Sequence, residues 1–315
     1  MIIVKRILSI DGGGLRGVFS VSFLATVEDA IGDKISNYFD LIAGTSTGGI
    51  IALGLGMGYR AKEVLGFYEE LGPYIFDCVP LWQNIRHLWF TKYSEVRLKN
   101  ALLAVFGEKK LGDSVKRLLI PSMDLETGEV YIYRTSHHQR FHRDSRIKVV
   151  DVALSTASAP TYFPAHRTES GTPLIDGGMF ANNPLSIAVA EAIGVLGWPR
   201  ESIQALSIGC ATEPYDAGLL EKWPLGIGYW AFKLIEVFMV GQSSSSTRIA
   251  ETLIGHDRVI RVNPAIGKIP YSLDAVKEIP ILKYLGYSEA GKILDKLKKN
   301  FFETRAEEFE PYHKL

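Results

Sequence analysis

The sequence predicts an α/β fold in which a central, mostly parallel sheet is flanked by helices. Strand-length apolar runs alternate with helix-length apolar patterns through the first half of the chain, and parallel strands need such crossovers. Glycine-rich turns stand where strand signals give way to helix signals, as they do at the working edge of an open sheet. With 315 residues, 47% hydrophobic and 22% charged, the chain can bury one large core, and general disorder is excluded.

The elements follow in order. Residues 5–10 read as a buried strand and 18–30 as a helix. FDLIAG (39–44) is a second strand, and TGGIIALGLGMG (47–58) an apolar helix. The next helix, 60–72, puts Val64, Phe67, Tyr68 and Leu71 on one face. Trp82, Ile85 and Trp89 then recur at helical spacing among basic residues. That pattern suits a core face or an interfacial one. RLLIPSMDLETGEVYIYR (117–134) reads as two strands joined near Glu126–Glu129, with Thr127-Gly128 as the turn. A helix stopped by Pro160 and a strand at 172–176 come next. A helix at 184–197 is then opened by the Asn183 cap and Pro184. Residues 202–210 form a further strand. LGIGYWAFKLIEVFMVG (225–241) is apolar nearly all round, so a buried helix is expected. Leu294, Leu297 and Phe301 give the tail a face that packs back on the body.

Composition narrows the partners. Lys+Arg and Asp+Glu balance at 35 each, so no whole-chain charge recruits nucleic acid. Cys78 and Cys210 lie far apart and outside any C-x-x-C pair, which fits a reduced compartment. The opening MIIVKRILSIDGGG lacks a signal-peptide pattern, and 225–241 is short for a span and carries Lys233 and Glu236. A cytoplasmic protein is expected.

Three glycine-punctuated segments carry the chemistry. Gly12, Gly14 and Gly17 match G-x-G-x-x-G between strand and helix. The dinucleotide reading also needs an acid closing the second strand, which here ends in Gly44-Thr45-Ser46 instead. A phosphate loop after Asp11 would want a second glycine-rich loop, and none can be placed. G44-T45-S46-T47-G48 is G-x-S-x-G between strand and helix, the pattern of a nucleophile elbow. An ordinary turn with a helix-capping serine uses the same residues. A serine needs a base. His137, His138 and His142 fall in a polar stretch expected to be a solvated loop, with no cysteine or carboxylate spacing for zinc. His166 and His256 suit surface or core roles better than a triad. The third segment, L174-I175-D176-G177-G178, is an apolar strand ending in an acid.

In this order the three segments resemble the patatin-like phospholipases, whose signature is G-G-G-x-[RK]-G, then G-x-S-x-G, then D-G-[GA]. The match runs from about residue 6 to 193, with fainter likeness in SIGC (207–210), RVNP (261–264) and 273–279. The resemblance implies a three-layer patatin-like fold over 1–315, with a C-terminal helical part from about 215 packing on the motif core. It implies hydrolysis of membrane phospholipid acyl esters by a Ser46–Asp176 dyad. Gly13 and Gly14 would form the oxyanion hole, with Gly12, Arg16 and Gly17 shaping the loop or meeting a lipid phosphate. Gly44, Gly48, Gly177 and Gly178 would be the motif glycines. For Asp176 to serve as base, a dry pocket is required to raise its basicity.

No cofactor or metal is implied. A lipid substrate implies transient, peripheral membrane contact. Some bacterial proteins of this resemblance are switched on by cyclic nucleotides in defence, which extends to this chain as an activator. No motif marks a nucleotide pocket. The sequence leaves open a homo-oligomer, a less specific esterase or lipase, and a non-catalytic lipid-binding module on the same scaffold.

Overall fold

A computed structural model describes residues 3–76, 91–211, 226–265 and 274–314, without the side chains of 227–229, 231–233 and 235–236. The described strands are β1 (Lys5–Ile10), β2 (Leu41–Gly44), β3 (Arg117–Asp124), β4 (Val130–Arg134), β5 (His166–Arg167), β6 (Pro173–Asp176), β7 (Ile203–Ile208) and β8 (Val259–Val262). They form one sheet in the order β5-β6-β3-β2-β1-β7-β8, with β4 also paired to β3. From β3 to β8 neighbours run parallel, whereas β4 and β6 lie antiparallel to β3 and β5 antiparallel to β6.

The described α-helices are α1 (Gly17–Ile31), α2 (Thr47–Gly56), α3 (Ala61–Ile75), α4 (Glu95–Phe106), α5 (Val149–Ala157), α6 (Gly178–Ala181), α7 (Leu185–Gly194), α8 (Ile227–Ile254) and α9 (Ile279–Phe301). Alternating strand residues feed two cores, as the pleat requires. Leu8, Ile10, Ile42, Leu118, Ile120 and Leu206 pack with the layer that includes α1–α5 and α9. Ile7, Leu41, Ala43, Leu119, Ile203 and Ala205 pack with α7 and the end of α8. The result is three layers. Helix α9 lies along α1, with Leu297 and Phe301 buried as the tail pattern predicts.

Two expectations need correcting. Among the described side chains of 225–241, Leu234 and Phe238 are 59% and 51% exposed, so this stretch of α8 is not a buried helix. Leu234, Phe238 and Met239 instead line a cavity. His137 is not in a solvated loop but buried, with Nε2 against Glu191 Oε1 at 3.0 Å and Nδ1 against Thr135 Oγ1 at 3.0 Å. Burial lowers its pKa, which favours the neutral ring. Cys78 and the Trp82–Trp89 face lie outside the described residues.

Candidate active site

Sheet register brings the three segments together. Ile10 pairs with Gly44, so the loops after β1 and β2 leave the sheet side by side. Asp176 arrives differently from the parallel strand end expected for it. It lies on an antiparallel strand opposite Ser122, and Ser122 is three residues beyond Leu119, the partner of Ala43. That offset sets Asp176 level with Ser46, which is likewise three residues beyond Ala43.

Ser46 occupies the tight turn between β2 and α2 at φ 55°, ψ −123°, a conformation disfavoured by a residue with a Cβ. Its amide donates to Thr156 Oγ1 at 3.0 Å, and Thr156 in turn donates to the Pro121 carbonyl at 2.6 Å. A Cβ on Gly48 would come within 2.3 Å of the Ile10 carbonyl oxygen. Only glycine there lets α2 start against the end of β1, and Ser46 therefore sits at the positive end of a helix. The Thr47 hydroxyl is held by Tyr68 Oη at 2.5 Å, which ties the elbow to α3.

Asp176 is 5% exposed. Burial pushes its carboxyl up to about 6, while interaction with the Ser46 hydroxyl and the Gly178 amide pulls the other way. The Gly178 amide donates to Asp176 Oδ1 at 2.7 Å and orients the carboxylate. A carboxyl near 6 is ionised at neutral pH yet far more basic than an exposed aspartate.

The first loop completes the group. A Cβ on Gly12 would stand 3.2 Å from Ser46 Cβ and 2.5 Å from Asn182 Oδ1. The Gly12 amide donates to the Asn182 carbonyl at 3.0 Å, so it is not free for an anion, and Gly17 packs against Thr47. The Gly13 and Gly14 amides donate to no carbonyl among the described residues, and Gly14 has φ +57°, open to glycine at little cost. Arg16 folds back on its own loop, with Nε donating to the Gly13 carbonyl at 3.4 Å.

Gly13, Gly14, Ser46 and Asp176 line one end of a cavity of about 520 Å³ whose other walls are mostly apolar side chains of α2, α3, α4 and α8. Met179, Leu234 and Phe238 both line it and reach solvent, and so mark its mouth. Among the described residues no histidine lines it. His166 is held by Glu95 Oε1 at 2.5 Å, and His256 contacts Glu251 on the surface. Among the described residues no group of His, Cys, Asp and Glu is arranged to hold a metal.

Sequence reasoning assigned no bracing role to Thr156, Asn182 or the pair Asp11–Arg261, all of which brace these loops. Asn182, four residues beyond D-G-G, was a usable signal. Arg261 opens the RVNP segment, but nothing there pointed to Asp11, a partner 250 residues away.

A family model described as Patatin-like phospholipase matches residues 8–189. A Pseudomonas aeruginosa protein named cGAMP-activated phospholipase is 35% identical over 254 residues, covering 80% of this chain and 76% of its own. A Vibrio cholerae protein of the same name is 36% identical over 251 residues, 70% of this chain and 71% of its own. Patatin-like protein 3 of Arabidopsis thaliana is 30% identical over 276 residues, 72% and 64% of the two chains.

Proposed function

The chain belongs to the patatin-like phospholipase family, a lipid acyl hydrolase family, and from that premise we propose that it cleaves phospholipid acyl esters with Ser46 as nucleophile and Asp176 as general base. One observation carries the reading: Ser46, a buried carboxyl of raised pKa and two amides that donate to no carbonyl among the described residues meet at one apolar cavity.

In the proposed cycle Asp176 takes the Ser46 hydroxyl proton as Oγ attacks the ester carbonyl carbon. The carbonyl oxygen becomes negative and accepts hydrogen bonds from the Gly13 and Gly14 amides. Loss of one such donor typically costs about 3 kcal/mol of transition-state stabilisation. Collapse of the tetrahedral intermediate breaks the bond to the lipid's glycerol oxygen, which receives the proton from Asp176. Water then enters, gives a proton to the same carboxylate and attacks the acyl carbon; as the bond to Ser46 Oγ breaks, Asp176 returns that proton to the serine and the fatty acid leaves. The acyl chain lies in the cavity, where each buried methylene contributes about 0.8 kcal/mol.

The test joins two measurements. A fluorophosphonate should label the purified protein at Ser46, and Ser46→Ala should lose both labelling and fatty-acid release from phospholipid vesicles. A protein that binds vesicles but never labels is a lipid-binding module, and the reading is then wrong.

Two relatives named for activation by cGAMP support a second reading, in which hydrolysis waits on a cyclic nucleotide. Vesicle hydrolysis with and without a panel of cyclic dinucleotides tests it. Full activity without additive counts against it.

A further inference from the structure

Asp11 closes β1 immediately before the glycine loop, and its side chain is almost wholly buried yet does not line the cavity. Arg261 on β8 meets it from two strands away. Ser207 on β7 pairs with Ser9 on one side and Arg261 on the other, so the guanidinium must pass over β7 to reach Asp11. A serine at 207 leaves room and supplies an acceptor. Arg261 Nη1 donates to Asp11 Oδ1 at 2.7 Å and to Ser207 Oγ at 2.7 Å, and Nη2 donates to Asp11 Oδ2 at 2.5 Å. Ser243 of α8 joins the pair, accepting from Nη2 at 3.1 Å and donating to Asp11 Oδ2 at 3.4 Å.

The backbone beside this fork is equally fixed. The Asp11 amide donates to the Ile208 carbonyl at 2.9 Å, and the Asp11 carbonyl accepts from Cys210 Sγ at 3.3 Å. The Asp11 and Gly12 amides are held, whereas those of Gly13 and Gly14 donate to no carbonyl among the described residues. A two-point Arg–carboxylate fork sets orientation as well as distance. Its charge also matters. A buried carboxylate this close in sequence to Gly13 would oppose an anion forming there, and Arg261 cancels it.

We propose that Arg261 is a positioning residue for ester hydrolysis, holding the oxyanion loop through Asp11 and neutralising the carboxylate that would otherwise work against it. This rests on the reading of Gly13 and Gly14 as oxyanion donors.

The experiment uses the full chain and a dissolved short-chain p-nitrophenyl ester, which removes membrane binding from the measurement. Arg261→Gln should lower kcat about 100-fold with KM changed less than about twofold, the scale of a slight misplacement of a catalytic group. Asp11→Asn breaks the same pair but leaves a cation in place of an anion, so its kcat should fall about tenfold less. A simple structural brace predicts equal kcat losses that follow the drop in melting temperature, and that result would overturn the proposal. A raised KM with kcat intact would overturn it too. If Arg261→Gln does not fold, Arg261→Lys decides: it keeps the charge and loses the fork. A roughly tenfold lower kcat at unchanged KM supports the proposal, and an unchanged kcat removes it. Ser46→Ala runs alongside. An active Ser46→Ala removes the underlying site reading, whereas an inactive one beside unimpaired Arg261 variants removes only the positioning role.

Discussion

Ser46 is held where most side chains cost roughly 1–3 kcal/mol of strain, and that strain aims its hydroxyl at the cavity. Asp176 stores a second cost. Its native pKa of about 6 lies above its ordinary value, so the folded state holds its proton more tightly than the unfolded chain does. The stability this gives is present in acid and is lost as pH rises from the usual carboxylate range through about 6. Asp176→Asn therefore should stabilise the fold above that pH by up to about 3 kcal/mol, and progressively less toward acid, while ester hydrolysis disappears. Urea unfolding at several pH values measures the first effect. In the wild-type protein kcat/KM should climb with pH through about 6 and level off, because only the carboxylate accepts the serine proton. A profile flat across that range argues against Asp176 as base.

At the scale of elements, α2 does two jobs. Its start presents Ser46, and its length forms one wall of the cavity as far as Gly54, about 12 Å further along the helix axis. There α3 closes in, and a Cβ on Gly54 would stand 2.8 Å from Val64 Cγ2. Val64→Phe adds bulk at this inner end, well away from Ser46. Long-chain phospholipid hydrolysis should fall about tenfold while short-chain esters keep most of their rate, with overpacking costing about 1–3 kcal/mol of stability. A chain-length series on the variant and wild type shows whether the inner end limits the acyl chain. In the sequence α2 was legible as an apolar helix and α3 as a helix with one apolar face. The cavity between them was not, since the same apolar pattern suits a filled core and a hollow one.

At the scale of the whole molecule, exposed Leu234 and Phe238 of α8 stand at the entrance to the cavity that holds Ser46. No helix among the described residues is long and apolar enough to cross a membrane. Membrane contact through this rim would instead be peripheral, letting a lipid leave the bilayer without wetting its chains. Burying an exposed Leu or Phe contributes about 1.5–3 kcal/mol. Leu234→Glu with Phe238→Glu should thus cost vesicle hydrolysis at least about tenfold more than hydrolysis of a dissolved ester. Flotation with vesicles and parallel assays on both substrates measure the difference, and equal losses would move the contact surface elsewhere.

The sequence by itself determined the alternating layers and the order of the three glycine segments, because period and turn chemistry are local properties. It also singled out Ser46 and Asp176, each marked by the glycines beside it. Only tertiary structure decided that Asp176 reaches Ser46 along an antiparallel strand, that α8 lines an entrance, and that Arg261 meets Asp11. Those relations depend on strand register and on contacts across as many as 250 residues. Packing sets such contacts, and no window of neighbouring residues contains them.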